Sequence, residues 1–243
     1  MALVPGRDYP NTYRGFVEMF TDDNECAAFL ARLRWPKGFI CPACKTASTP
    51  WKESRGRLAC PICRHQTSIS AGTIFDKTRT SLTTWFEAAW HVTTAKSGMS
   101  AKTLERTLGT SYRVAWTMLQ RFRVAMVDDK WCLLMGGGSY NGLPGKGYTR
   151  KIIVLSSSGD PTHVSMTGVH QVSSLLKRWI LGTHQGSVVL DNLQSYLEEF
   201  TFRFNRRTSR SRGLVFRRLL EQAVVTGPIT EDDVTYGYNW GCN

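Results

Sequence analysis

Residues 41–44 read Cys-Pro-Ala-Cys, and residues 60–63 read Cys-Pro-Ile-Cys. This spacing is typical of a zinc ribbon, because two thiolates three positions apart can turn back onto one metal ion, and the fifteen residues 45–59 can return as a hairpin. Four thiolates leave no open position on a tetrahedral metal, so the ion is structural rather than catalytic. The sequence therefore predicts one structural Zn²⁺, whose binding contributes about 10 kcal/mol to folding, with the ligands Cys41, Cys44, Cys60 and Cys63.

Disulfide bonds or a redox pair are the alternatives for these cysteines. The sequence has no recognisable signal peptide and no long apolar segment, so we expect a reducing cytoplasm in which thiols stay available for metal. Three further cysteines, Cys26, Cys132 and Cys242, fit no ligand spacing. Cys26 continues the helical apolar pattern of Phe29 and Leu30, and we predict it to be a core residue.

The composition favours a polyanionic partner. The 243 residues include 31 Lys and Arg against 19 Asp and Glu, a formal net charge of +12. A hydrophobic content of 42% is enough to bury cores in two or three small domains. A membrane surface is the competing polyanion, but no transmembrane stretch, basic amphipathic anchor or lipidation motif supports it. The sequence therefore indicates a nucleic-acid partner.

Local signals predict the elements on either side of the cysteine pairs. Asp22 or Asp23 can cap a helix that ends at the Trp35-Pro36 step. After the second cysteine pair, residues 67–69 and 73–75 form short β-like runs, which we predict to be the last strands of the ribbon.

The region from residue 81 to residue 126 is predicted to be helical. The helical pattern starts from Ser81. Ser100 is placed to cap the second helix and Gly109 to end it, and Thr110 and Ser111 open the third. The second and third helices, joined by a Gly-Thr-Ser turn, have the layout of a helix-turn-helix whose third helix enters the major groove, with Arg113 the best candidate for guanine recognition. An ordinary helical hairpin with solvated arginines is the alternative. The predicted DNA contacts in the third helix are Ser111, Tyr112, Arg113, Thr117 and Arg121.

A second basic element is the arginine-rich segment 203–218, which contains seven arginines and no acid. Such a density neutralises phosphates and makes binding salt dependent. The alternative is a solvated, salt-bridged face that packs on the domain. The predicted phosphate contacts are Arg203, Arg206, Arg207, Arg210 and Arg212.

Several motifs together resemble a known family. The first part of the chain resembles the amino-terminal half of zinc-ribbon insertion-sequence transposases of the DDE class, the ISXO-like family. The resemblance rests on residues 34–44, Arg-Trp-Pro-Lys-Gly-Phe-Ile-Cys-Pro-Ala-Cys, on residues 70–75, Ser-Ala-Gly-Thr-Ile-Phe, and on the helices up to residue 126. Two later segments resemble the end of the RNase H-like catalytic domain of the same family. They are residues 176–184, Leu-Lys-Arg-Trp-Ile-Leu-Gly-Thr-His, and residues 196–207, Tyr-Leu-Glu-Glu-Phe-Thr-Phe-Arg-Phe-Asn-Arg-Arg.

The resemblance implies DNA cleavage and strand transfer with two Mg²⁺ ions held by a carboxylate triad. Residues 137–140, Gly-Gly-Ser-Tyr, stand where the family has an Asp-Glu-Thr-Tyr-like strand, so glycine replaces the first aspartate. A hairpin predicted over residues 151–155 and 162–166 leaves too little chain for the strand that ends in the second aspartate. His170 stands near the third ligand position, and Lys177 follows on the same side of a helix predicted over residues 169–181. His170 and Lys177 are therefore the catalytic candidates, and Mg²⁺ is expected only if the catalytic core is active.

The remaining acids have ordinary interpretations. Asp160 is expected in a turn, and Asp191 is expected to cap the next helix, although it could also mimic a strand-end ligand. We predict that Glu198 and Glu199 lie on a helix surface, paired with arginines. The glycine-rich residues 136–147 lack the end of a phosphate-binding loop and are interpreted as a flexible junction.

Taken together, the sequence predicts an α+β multidomain protein with a zinc ribbon, a helical helix-turn-helix domain and a truncated RNase H-like α/β remainder. The expected divisions are an N-terminal helical segment 1–40, the zinc ribbon 41–76, the helix-turn-helix domain 81–127, a junction 128–149, the catalytic remnant with basic C-terminal helices 150–226 and a tail 227–243.

The predicted function is recognition of the terminal inverted repeats of an insertion sequence in double-stranded DNA, with strand-transfer activity lost or impaired. One alternative is an active Mg²⁺-dependent transposase that combines His170 with displaced acids such as Asp160 or Asp191. Another is a regulator or inhibitor of transposition that joins a homo-oligomer or a full-length transposase. The expected location is the bacterial cytoplasm, at the nucleoid, without a membrane partner.

Overall fold

The computed structural model describes residues 3–127, 167–186, 188 and 192–236. Residues 3–127 and 192–236 belong to one compact unit, whereas residues 167–186 belong to a second unit and are described by themselves. Within these residues the chain forms nine α-helices and one small three-stranded sheet. The divisions predicted at residues 128 and 150 do not separate the C-terminal helices from the N-terminal ones.

The first two helices precede the cysteine pairs. Helix α1 spans Tyr13–Met19 and α2 spans Asp23–Arg34. As predicted, Asp22 caps α2, since its Oδ1 accepts from the backbone N–H of Asn24 at 2.8 Å and of Glu25 at 2.9 Å. The helix ends at Trp35, in front of the proline.

The sheet is antiparallel, with the order β1-β2-β3. Its strands are β1 Trp51–Lys52, β2 Leu58–Ala59 and β3 Gln66–Thr67. The strand predicted over residues 73–75 is wrong, because Thr73 closes a turn onto the carbonyl oxygen of Ser70 at 3.1 Å. Ile74 and Phe75 are fully buried in the helical core instead, and Phe75 makes an edge contact with Trp85 at 5.3 Å between ring centroids.

Three helices follow the ribbon, α3 Leu82–Thr94, α4 Ala101–Leu108 and α5 Tyr112–Ala125. The cap predicted at Ser100 is confirmed. The hydroxyls of Ser81, Ser100 and Ser111 each accept a backbone N–H three residues later. Gly109 ends α4 with φ 63°, a left-handed conformation that glycine adopts without steric cost. A three-residue turn therefore joins α4 to α5.

The C-terminal helices of the first unit are α7 Leu193–Asn205, α8 Arg212–Ala223 and α9 Glu231–Tyr236. Helix α8 packs against α2, α3 and α5, and α7 packs against α5. Phe216 of α8 lies at the centre of the aromatic core, with its ring 5.7 Å from Phe16, 5.9 Å from Phe86 and 5.7 Å from Trp90. The C-terminal helices thus complete the core of the N-terminal ones.

Two expectations about α7 change with the structure. Asp191, predicted as its cap, lies outside the described residues, and Asn192 precedes the helix without a side-chain capping hydrogen bond. Glu198 and Glu199 are buried, so their predicted surface position is wrong. The reason is that α7 packs this face against α5, where Glu199 pairs with Arg123.

Helix α6, Thr167–His184, belongs to the second unit. It covers the helix predicted over residues 169–181 and extends it at both ends. The hairpin predicted over residues 151–166 and the glycine-rich junction lie outside the described residues.

Candidate metal centre and nucleic-acid interface

The four predicted zinc ligands come together at one point. The Sγ atoms of Cys41, Cys44, Cys60 and Cys63 all lie within 4.8 Å of one another. Cys41 and Cys63 are 3.5 Å apart, and Cys44 and Cys60 are 3.7 Å apart. A regular tetrahedron with Zn–S bonds of about 2.3 Å has S–S edges of about 3.8 Å. The donor set and its spacing therefore fit a closed, structural Zn²⁺ site.

The two cysteine pairs are built alike. In the first, Lys45 N donates to Cys41 O at 2.9 Å; in the second, Arg64 N donates to Cys60 O at 2.9 Å. Lys45 and Arg64 both adopt left-handed backbone, with φ 59° and 58°. That conformation costs about 1–2 kcal/mol for a residue with a Cβ. Each turn directs two thiolates to one point, where the free energy of metal binding offsets this cost. Each turn also leaves an exposed basic side chain beside the metal centre.

The surroundings of two of the four thiols, Cys44 and Cys60, lower their pKa. The hydroxyl and backbone N–H of Thr46 lower the pKa of the Cys44 thiol to about 6, which favours the thiolate that zinc requires.

On the side of α2, Arg34 donates to the carbonyl oxygen of Ile69 at 2.7 Å, and its guanidinium lies 4.9 Å from the centre of the Trp35 ring. Trp35 in turn meets Phe39 edge-on at 4.8 Å. The ribbon is thus fixed to the end of α2.

The start of α5 is open to solvent. Tyr112 is 52% exposed, and the Arg113 side chain is 78% exposed. Ser111 is exposed as well, but its hydroxyl caps the helix. Thr117, one turn later, is half-buried. The first turn of α5 therefore presents an aromatic and a cationic side chain directly after the α4–α5 turn.

Arg121 lies farther along α5 and has a different environment. Its guanidinium donates to the carbonyl oxygens of Ile74 at 2.8 Å, Asp76 at 3.2 Å and Ile229 at 3.3 Å. Burial lowers the pKa of Arg121, and the charge of Asp76 partly opposes this shift. Arg121 braces three segments of the protein, so its geometry does not suit the contact with DNA predicted from the sequence.

The short helix α9 packs against α5. Val234 and Ile229 are buried, and Glu231 forms an ion pair with Arg113. A groove of about 290 Å³ runs between the two helices. Its polar lining consists of Thr78, Arg79, Thr80, Arg113, Thr117, Arg121, Thr230 and Glu231. The sequence analysis did not identify this groove, and only the acids at residues 231–233 hint that α9 is attracted to a basic neighbour.

The arginine-rich segment 203–218 has an inner and an outer part. Arg203 is 15% exposed and donates to the carbonyl oxygens of Val92 and Ala95 at the end of α3. Arg217 donates to the carbonyl oxygen of Asp8 at 2.8 Å. These two side chains hold elements together, whereas the chain exposes Arg207, Arg210, Arg212 and Arg218.

Comparisons with known proteins agree with this geometry. Residues 21–66 match the model of the transposase zinc-ribbon domain, and residues 136–205 match the model of the ISXO2-like transposase domain. Each of these two segments is thus similar to a transposase domain. It is also 27% identical over 113 residues to an uncharacterized protein in transposable element ISH50 of Halobacterium salinarum, an alignment that spans 45% of this chain and 38% of that protein. No solved structure matches the chain.

The two catalytic candidates fall within the ISXO2-like match. His170 and Lys177 lie on α6 and are both exposed. They are seven residues apart, nearly two helical turns, so they occupy one side of the helix. Asp160 and the glycines at residues 137 and 138 lie outside the described residues, so the metal-ligand set stays a prediction.

The ISXO2-like match also contains a buried ion pair of Glu199; the sequence analysis predicted an arginine partner for this acid, but neither its burial nor Arg123 as that partner. Glu199 Oε2 accepts from Arg123 Nε at 2.8 Å, and the two side chains are 1% and 2% exposed. The Arg123 guanidinium lies 3.9 Å from the centre of the Tyr196 ring. This pair joins α7 of the transposase match to α5, which precedes that match.

Among the helices that the structure describes, none combines the length and the apolar composition that a membrane span needs.

Proposed function

We propose that this chain is a transposase-type DNA-binding protein that recognises the terminal inverted repeats of an insertion sequence, with strand transfer lost or impaired. The observation that carries the proposal is the exposed first turn of α5, which follows a three-residue turn in a chain with transposase domains. Tyr112 and Arg113 are exposed there, Arg113 in a surface ion pair with Glu231, while the rest of the helix is built into the core. This exposure supports a recognition helix whose N-terminal residues meet base edges.

The residues have distinct roles in this proposal. Arg113 reads a guanine, since a guanidinium can donate two hydrogen bonds to its O6 and N7 atoms. Exposed Lys102 and Arg106 on α4 contact phosphates. Lys45 and Arg64, one beside each cysteine pair, supply equivalent phosphate contacts from the ribbon. Phosphate contacts position the protein, and the contacts of α5 provide sequence discrimination.

Impaired cleavage is proposed from the residue types available in the transposase match. That match begins at residue 136, next to Gly137 and Gly138, where the first metal-binding aspartate is expected from the resemblance. A glycine offers no side-chain oxygen to Mg²⁺. His170 can ligate a metal but brings no negative charge to balance it. We therefore propose that the chain binds the element ends in the bacterial cytoplasm without cutting them efficiently, alone or in an oligomer with an active transposase.

The experiment measures binding and cleavage together. Zinc-loaded protein is mixed with labelled DNA that carries the terminal repeats of its own locus, with and without Mg²⁺ or Mn²⁺, and scored for gel shift and nicking. Arg113→Ala is compared with Arg14→Ala, which alters an arginine of 90% side-chain exposure paired with Glu18 on α1. We expect specific binding without nicking, weakened by Arg113→Ala only. Metal-dependent nicking abolished by His170→Ala would instead restore the active transposase, and equal binding by both variants would exclude α5 as the reader.

A further inference from the structure

The small sheet of the ribbon exposes a tryptophan. Trp51, on β1, is the most exposed aromatic side chain among the described residues, at 56%. Trp35, in contrast, meets the ring of Phe39 at 4.8 Å and carries the Arg34 guanidinium over its own ring at 4.9 Å. Within the described part of the chain, Trp51 has no such ring contact and no cation over its ring. We infer that Trp51 is a stacking platform for an unpaired base of DNA, an inference that rests on the DNA binding proposed above.

The register of the sheet places Trp51 on its outer face. Trp51 pairs with Ala59, and Lys52 pairs with Leu58. Leu58 packs against the small cluster around Phe39, so its side of the sheet is the inner one. Because successive residues of a strand point to opposite faces, Trp51 and Ala59 share the outer face. Ala59 is itself buried, so the indole forms the exposed apolar surface there.

The same face carries an arginine beside the indole. Arg57 continues the strand pairing, since the backbone N–H of Glu53 donates to its carbonyl oxygen at 2.8 Å. It lies two residues before Ala59 and is therefore the diagonal neighbour of Trp51, at a typical separation of about 7–8 Å that long side chains can bridge. Its Nη1 donates to the Oε1 of Gln66, the β3 partner of Ala59, at 3.4 Å. The outer face thus combines an open ring with a guanidinium and an amide.

The charge around the platform favours a polyanion over an apolar protein partner. Residues 45–66 contain five Lys and Arg and one acid, Glu53. Glu53 stands opposite Arg57, but the guanidinium of Arg57 donates to the neutral Gln66. A zinc ion bound by four thiolates carries two negative charges, and the segment stays positive when they are included. A ligand that offers both negative charge and a flat ring suits this surface, and a nucleotide of DNA offers both.

The base has to be unpaired to reach the platform. Inside a duplex both faces of a base are covered by its neighbours, so an enzyme that needs access to a base first takes it out of the stack. A base in a single-stranded extension can stack on an indole directly, and it does so without sequence preference because every base has a π face. The first turn of α5 reads duplex repeats in the proposed function. Trp51 adds a response to a strand that has opened.

The test measures the affinity of the zinc-loaded full chain for two DNAs. One is a labelled oligothymidylate of about ten nucleotides, a length within the site size of single-strand binding folds, and the other is the blunt duplex of the terminal repeats. The variants are Trp51→Ala, Trp51→Phe and the matched control Ile62→Ala. Ile62 is 60% exposed on the ribbon but has no ring. Zinc content and circular dichroism verify that each variant is folded.

We expect Trp51→Ala to weaken binding of the oligothymidylate by about 5- to 150-fold, the equivalent of about 1–3 kcal/mol for one stacked base. Trp51→Phe should recover most of this loss because it keeps a flat ring, and Ile62→Ala should bind as the wild-type protein does. All three variants should bind the blunt repeat duplex with unchanged affinity. Without DNA, the wild-type protein and Trp51→Ala should have the same mass in sedimentation.

Unchanged binding of the oligothymidylate by Trp51→Ala, or an equal loss in Ile62→Ala, would overturn the platform even if Arg113→Ala abolished binding of the repeats. A lower mass of Trp51→Ala in sedimentation would also overturn it, because the indole would then contact a second copy of the chain. If the wild-type protein ignored the repeat duplex but bound the oligothymidylate through Trp51, the platform would stand and the proposed recognition of the repeats would fail.

Discussion

Replacing Glu199 with leucine should remove much of the stability of the first unit. Glu199 is 1% exposed and accepts from Arg123 at 2.8 Å, and Arg123 is itself 2% exposed. Glu199→Leu leaves the arginine charge buried without its counter-charge, a change that costs about 3–5 kcal/mol. Domains of this kind are stable by only about 5–15 kcal/mol. With a urea dependence of about 2–3 kcal/mol per molar, the unfolding midpoint should fall by roughly 1–2.5 M.

The assay is urea unfolding in excess zinc, followed by circular dichroism for the helices. The matched control is Glu221→Leu, which removes an acid that pairs with Arg217 and Arg218 but is 25% exposed, and which should cost no more than about 1 kcal/mol. The double variant Arg123→Met/Glu199→Leu should recover most of the loss, because neither charge is then left alone. A loss for Glu199→Leu no larger than for Glu221→Leu would refute the buried pair.

Three further predictions follow from the structure. In thermal unfolding, Gly213→Ala should destabilise the protein by about 1–3 kcal/mol. The reason is that a Cβ at this position of α8 would overlap the carbonyl oxygen of Pro10 and lie 2.8 Å from its carbonyl carbon. The control is Gly15→Ala on α1, where the atom nearest to an added Cβ is 3.5 Å away. Removing zinc with a chelator should expose residues 36–69 to hydrogen exchange while the helical core stays protected, since the ribbon buries only a small cluster around Phe39. Equal hydrogen exchange in the ribbon and the helical core would contradict this prediction. Glu231→Gln should tighten DNA binding by roughly 1.5- to 5-fold, because it removes a surface ion pair of about 0.2–1 kcal/mol that competes with DNA for Arg113. Weaker DNA binding by this variant would instead show that α9 supports the interface.

The features that the sequence predicted correctly depend on residues close together in the chain. The Ser100 cap and the Gly109 stop of α4 act within one helical turn. The zinc ligands are set by two tight turns, each complete within five residues of its own pair. Such local interactions leave a pattern in the sequence, and the fold of the ribbon and of α2 to α5 follows from them.

The features that the sequence did not predict depend on partners far apart in the chain. Glu199 and Arg123 are 76 positions apart, and Arg203 is 111 positions from Val92. A charged residue in an apolar helical stripe has the same periodicity whether it faces water or a buried counter-charge, so Glu199 looked like a surface residue. For the same reason Arg121 and Arg203 looked like DNA contacts, although backbone carbonyl groups from distant segments occupy their donors. The run of residues 73–75 looked like a strand because burial of any kind requires apolar residues.

The shared core bears on the history of the chain. Both ends of the segment 128–188 connect to the same compact unit, where Gln222 holds the carbonyl oxygen of Val127 at 3.4 Å and Ser195 contacts Gln120 at 3.1 Å. The segment is therefore an insertion in the order of the chain, and the entropic cost of closing an inserted length of chain grows by only about 0.6 kcal/mol per doubling. Deletions there can accumulate without unfolding the remainder. Loss of residues 192–236, in contrast, would remove Phe216 from the aromatic core and unfold the N-terminal helices with it. Natural deletions that keep the protein folded should therefore lie inside the segment 128–188, and not within residues 192–236.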